Sequence, residues 1–97
     1  MQVDRRRLES ALTSKGFVLN DDGDHRWFHH QVNGRETGIA TFTSRGSNYK
    51  VYGDSLLKQI KLQLKLGTTR EVYDLLTCQM SEEKYLEILR SKGCIPR

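Results

Sequence analysis

The sequence predicts a domain of the α+β class, a two-layer α/β sandwich ordered α-β-β-β-α and followed by two C-terminal helices. Three observations carry that prediction. An amphipathic segment precedes three strand-like runs, an Asn-Gly pair separates the second run from the third, and apolar residues recur at helical spacing through the second half of the chain. Ninety-seven residues suit one domain, divided here into a core over 1–66 and a helical extension over 67–97, and leave no room for a second cofactor-binding lobe. Hydrophobic residues at 36%, charged residues at 29% and a single Pro permit a modest core and argue against a disordered chain. No apolar run approaches the roughly 18 residues of a membrane span, and Met1 to Arg7 lack the apolar stretch of a signal peptide, so a cytoplasmic protein is expected.

Taken in order, Asp4 is a suitable N-cap for a helix over Arg5 to Lys15. Leu8, Ala11 and Leu12 form its apolar stripe, and Gly16 supplies the left-handed residue that ends it. Phe17 to Leu19 reads as a short strand, Asp21 to Asp24 as a turn, and His25 to Val32 as a second strand. Asn33-Gly34 is a type I′ hairpin signal, since both central residues of that turn need positive φ. The third strand, Arg35 to Thr43, puts Thr37, Ile39, Thr41 and Thr43 on one face. Ser44 to Gly53 reads as a polar loop. A second helix starts near Asp54 or Ser55, both good caps, presents Leu57, Ile60 and Leu64, and stops near Gly67. Thr68 and Glu71 have capping-box spacing for a third helix with Val72, Leu75 and Leu76. Ser81 caps a fourth, with Tyr85, Ile88 and Leu89 as its buried stripe and Gly93 at its end. Hairpin-joined strands are antiparallel and need one face covered, for which the first two helices are the natural cover; this is the architecture of the double-stranded RNA-binding domain.

The charge is unevenly spread. Between Ser44 and Leu66, Arg45, Lys50, Lys58, Lys61 and Lys65 face only Asp54, which accounts for the whole formal charge of +4, and the rest of the chain is balanced. A neutral body with a basic patch is the footprint of a partner for RNA, DNA or an acidic protein; a solvated lysine-rich helix face is the plainer explanation. Lys58, Lys61 and Lys65 at i, i+3 and i+7 would form one stripe on the second helix, and Arg45, Ser47, Lys50, Tyr49 and Tyr52 in the preceding loop would add phosphate contacts and base stacking.

All three histidines fall in His25-Arg26-Trp27-Phe28-His29-His30. Strand alternation puts His25, Trp27 and His29 on one face and Arg26, Phe28 and His30 on the other, and since both faces carry a large ring, the pattern does not say which is buried. His25 follows a turn, where ligand can reach it. His25 and His29 stand about 13 Å apart at 3.3 Å per residue, too far to act as an acid and base pair on one phosphate. Cys78 and Cys94 lack zinc-site spacing and are expected to be free thiols; no metal and no cofactor is expected.

The runs Lys15-Gly16-Phe17-Val18, Gly23-Asp24-His25-Arg26-Trp27-Phe28-His29-His30, the threonine-rich strand ending at Thr43, Arg45-Gly46-Ser47 and Gly53-Asp54-Ser55-Leu56-Leu57 together resemble the HicA, or YcfA-type, toxin family of type II toxin–antitoxin systems, over about Leu8 to Leu66. The resemblance implies a double-stranded-RNA-binding-domain-like fold, ribosome-independent cleavage of mRNA by a single catalytic histidine, and neutralisation by a HicB-like antitoxin protein that covers it. By position that histidine is His25. The family usually has serine or threonine where this chain has Asp24, which would either orient the imidazole and raise its pKa or repel a phosphate. Gly67 to Arg97 extends beyond the usual toxin end.

RNA carries its own nucleophile, so a neutral imidazole can deprotonate the 2′-OH, a contribution of about 10²- to 10⁴-fold. Arg45 or Lys50 would stabilise the phosphorane, and Lys58, Lys61 and Lys65 would hold the backbone. The alternative is a non-catalytic RNA-binding or protein-interaction module on the same scaffold.

Overall fold

The computed structural model describes residues 2–21, 23, 25–44, 50–77 and 79–95. Its elements are β1 (Val3–Asp4), α1 (Arg5–Ser14), β2 (Phe17–Asn20), β3 (His25–Val32), β4 (Arg35–Ser44), β5 (Val51–Tyr52), α2 (Asp54–Gln63), α3 (Thr69–Leu76) and α4 (Glu82–Ser91), a mixed α+β arrangement with four helices and a three-stranded antiparallel sheet. Among the described residues, no helix is long and apolar enough to cross a membrane.

The helix α1 begins where expected. Asp4 is extended, and its carboxylate accepts from the Arg6 N–H at 2.8 Å, satisfying one of the amides that a helix start leaves unpaired. Gly16, at φ 91°, ends it, and Leu8, Ala11 and Leu12 face the core. The sheet order is β2-β3-β4, and the hairpin joining β3 to β4 has Asn33 at φ 54° and Gly34 at φ 79°, the positive pair that a type I′ turn requires.

The register resolves which side of β3 is inside. Phe28 lies opposite Thr41, and both are fully buried, while Trp27 lies opposite Phe42 and is 37% exposed. Both flanking helices meet the buried face: Thr43 Oγ1 donates to Glu9 Oε2 of α1 at 2.6 Å, and Thr41 Oγ1 donates to Gln63 Oε1 of α2 at 2.5 Å. The threonines of β4 therefore serve as polar ties under helices instead of solvent-facing residues, each stabilising by about 1 kcal/mol or more when the acceptor is charged.

Three expectations for the middle of the chain need correction. The segment read as a loop over Ser44 to Gly53 contains β5, which pairs antiparallel with β1, Val3 opposite Tyr52 and Asp4 opposite Val51. Strands of two residues are too short to show alternation, and their pairing is a long-range event. Next, α2 is capped by Gly53, with no side-chain cap bond, so neither Asp54 nor Ser55 is the N-cap. Lastly, α2 stops before Gly67. Lys65 takes φ 62°, its N–H reaches Leu62 O at 3.4 Å, and the Leu66 N–H bonds Lys61 O at 3.0 Å, the Schellman pattern with lysine at the position that favours glycine. The physical reason is Leu66, which turns back into the core and is 5% exposed.

The C-terminal helices follow the sequence closely. Thr68 and Glu71 form a full capping box for α3, Ser81 accepts from Lys84 N–H at the start of α4, and Gly93 ends α4 at φ 73°. Val72, Leu75, Leu76, Tyr85 and Leu89 are fully buried and join one continuous apolar cluster with Leu8, Leu12, Phe17, Phe28, Leu57 and Leu64, while Ile88 is half-buried at its margin. Tyr85 Oη donates to Leu64 O at 2.9 Å, which fixes α4 to the end of α2. Burial, and secondarily Cys94, push that phenol above the ordinary tyrosine range, so it remains a donor.

Candidate functional site

His25 stands at the first position of β3, opposite Ser44 at the last position of β4, and lines a cleft of about 370 Å³ with Phe42, Ser44, Tyr52, Leu56, Gln59, Ile60 and Gln63. The cleft exists because β4 is the sheet's outer strand and α2 lies along it, leaving the strand end and the first turns of the helix to form two walls. The imidazole is half-buried, its ring 4.6 Å from that of Phe42. Its Nδ1 is shielded from solvent and has no hydrogen-bond partner among the described residues. Asp24, the residue expected to orient it, lies outside the described residues, as do Arg45, Ser47 and Tyr49.

The other two histidines differ in kind. His29 is half-buried and stacks with Trp27 at 6.1 Å. His30 is fully buried between Phe17 at 4.9 Å and Tyr85 at 5.4 Å, with Nδ1 3.0 Å from Thr37 Oγ1. Burial pulls its pKa below the ordinary histidine value, which marks it as a neutral core residue.

The expected lysine stripe does not converge on His25. At roughly 100° per residue, the cleft-facing Leu56, Gln59 and Gln63 are separated by about 160° around the helix from Lys58 and Lys61. Lys58 is exposed and Lys61 half-buried on that other side. Lys65 leaves the stripe altogether, because it follows the end of α2 in a left-handed conformation and its carbonyl accepts from Lys92 Nζ at 2.9 Å. Tyr52 is not available for base stacking. It is 4% exposed, and its Oη accepts from the Ser44 N–H at 3.2 Å.

Lys50 does not line the cleft; it stands beside Arg5, a residue the sequence pattern did not single out. The Ser44 carbonyl accepts from Arg5 Nη1 at 2.6 Å, and Arg5 shares a second hollow with Asp4, Arg6 and Lys50. Arg5 thus links the strand end that lines the imidazole cleft to a hollow holding three cations and the Asp4 carboxylate. The Arg5 N–H also donates to Lys50 O at 2.8 Å, which holds the start of α1 against the strand that carries Lys50 toward β5. A signal was present in the run Arg5-Arg6-Arg7, but its distance in sequence from His25 concealed the juxtaposition. Among the described residues, no group of three or more His, Cys, Asp or Glu side chains stands close enough to hold a metal ion.

No family model, no curated protein and no solved structure matches this chain.

Proposed function

We propose that this protein is an RNA-binding, toxin-like endoribonuclease, an mRNA interferase of a type II toxin–antitoxin system, with His25 as the single catalytic base. The observation that carries the proposal is the half-buried His25 lining a cleft with Ser44, whose carbonyl accepts from Arg5 Nη1 at 2.6 Å. In this reading a ribose enters the cleft while the adjoining phosphate lies toward Arg5 and the hollow it shares with Arg6 and Lys50. His25 takes the proton of the 2′-OH, the 2′ oxygen bonds to phosphorus, and the P–O5′ bond breaks. A proton from solvent completes the 5′-OH, and a 2′,3′-cyclic phosphate remains. Lys50 stabilises the developing phosphorane charge, with Arg45 as a second candidate, while Gln59 and Gln63 offer amides to the sugar and base.

The succession α1-β2-β3-β4-α2, with both helices on one face of the sheet, supports a double-stranded-RNA-binding-domain-like core and with it the HicA-like reading. A HicB-like antitoxin that covers the His25 cleft would be the regulating partner, in the cytoplasm. Lys58, Lys61 and Lys65 enter as a separate contact to the RNA backbone, along with Ser47. A second reading, RNA held without cleavage, is favoured by one observation: no described side chain bonds His25 Nδ1 to set its tautomer.

Producing the chain alone tests the proposal. Growth arrest and mRNA cleavage are expected for the wild type, and His25→Ala should abolish both while RNA affinity persists. A His25→Ala chain that cleaves as well as wild type would overturn the catalytic assignment, and retained RNA binding without cleavage by the wild type would establish the second reading.

A further inference from the structure

The face of the sheet turned away from α1 and α2 carries a run of rings. His25 stands 4.6 Å from Phe42, Phe42 stands 4.9 Å from Trp27, and Trp27 stands 6.1 Å from His29. The rings interleave because His25, Trp27 and His29 alternate along β3 while Phe42 reaches across from β4, in register with Trp27. Beyond them β4 has Ala40 opposite His29 and then Gly38, so small residues leave the rings uncovered on that side. Trp27 is 37% exposed next to the Phe42 ring, and among the described residues Val18 is the exposed large aliphatic beside it on this face.

We infer that this face is a stacking platform for unpaired RNA bases, with Trp27 and Phe42 as the stacking residues, leading a single strand into the His25 cleft. The inference rests on the RNA reading above and narrows its substrate to single-stranded RNA. Continuity points the same way: His25 and Phe42 belong both to the run of rings and to the wall of the cleft, so a strand laid on the rings reaches the cleft without a break. Planar bases match planar rings without regard to sequence, and a duplex, whose bases are already stacked, cannot use them.

Trp27 is the only tryptophan in the chain, so its fluorescence reports the face directly. The probe is a 2′-O-methyl RNA octamer of mixed sequence, which has no free 2′-OH and cannot be cleaved. Saturable quenching by the single strand is expected, with much weaker quenching by its duplex. By fluorescence anisotropy of a labelled octamer, Trp27→Ala and Phe42→Ala should each lose about ten-fold in affinity, while Trp27→Phe should hold close to wild type. Unchanged affinity in Trp27→Ala, with its melting temperature retained, would overturn the platform and leave the RNA reading intact. Absence of any octamer binding by the wild type would remove both. Self-association of the free protein that vanishes in Trp27→Phe would make the face a protein interface and also overturn the inference. If Trp27→Ala does not fold, the quenching of the wild type by single strand against duplex decides alone.

Discussion

The Lys15 ammonium lies 2.9 Å from the Leu75 carbonyl and 2.6 Å from that of Met80, inside the protein, with the residue only 7% exposed. It ties the end of α1 to Leu75 in the last turn of α3, where partial negative charge gathers, and to Met80 in the turn beyond it. Lys15→Ala removes two buried charge-assisted bonds. A loss of about 2–4 kcal/mol is expected, read as a lower urea midpoint with the slope unchanged.

His30 gives the fold a pH dependence of known sign. Its folded pKa lies below 6.5, the value of the unfolded chain, because burial disfavours the imidazolium. Above 6.5 both states are neutral and its packing is fully retained. As pH falls from there through the folded pKa, the unfolded chain binds a proton that the folded one does not, and stability drops by at most about 1.4 kcal/mol per pH unit. Melting temperatures between pH 7.5 and 5 should fall for the wild type and fall less steeply for His30→Phe.

The two groups of cations separate in a salt titration. If the phosphate next to the cleaved ribose sits at the Arg5, Arg6 and Lys50 hollow, Lys50→Ala should reduce the slope of log affinity against log salt by about 0.7, the single-strand value per phosphate, and should lower the cleavage rate. Lys58→Ala combined with Lys61→Ala should change affinity for long RNA while leaving the cleavage rate of bound RNA as it is.

Lys65 is a non-glycine residue at φ 62° in a Schellman turn, so relief is available there. Lys65→Gly should raise stability by about 0.5–1 kcal/mol in chemical denaturation, since Lys92 bonds the backbone carbonyl and not the side chain.

Much of this architecture was legible because it is local. Asp4, Gly16, Asn33-Gly34, the Thr68 and Glu71 box, Ser81 and Gly93 each act within a turn of their own position, and each performs the expected role. Strand alternation could pair Phe28 with His30 but not decide the inside of β3, which is settled by Thr41 and Thr43 donating to side chains of the two helices. The site was harder to read for the same reason. His25 was visible as a strand-end histidine, whereas Arg5 bonds the carbonyl of Ser44, the residue opposite His25, across 39 positions of chain. The lysines misled because i, i+3 and i+7 defines a stripe only while the helix lasts, and a stripe has an azimuth that spacing alone does not give.

Tyr85 has a consequence for how this protein can be dissected. Its ring packs on His30 and Phe17, and its hydroxyl holds Leu64, so the residues after Gly67 fill a hole in the middle of the molecule. Deleting them would expose the underside of the sheet to water and yield a sticky fragment instead of a minimal domain. The role of this segment is therefore accessible to surface substitutions on α3 and α4, and not to shortened chains.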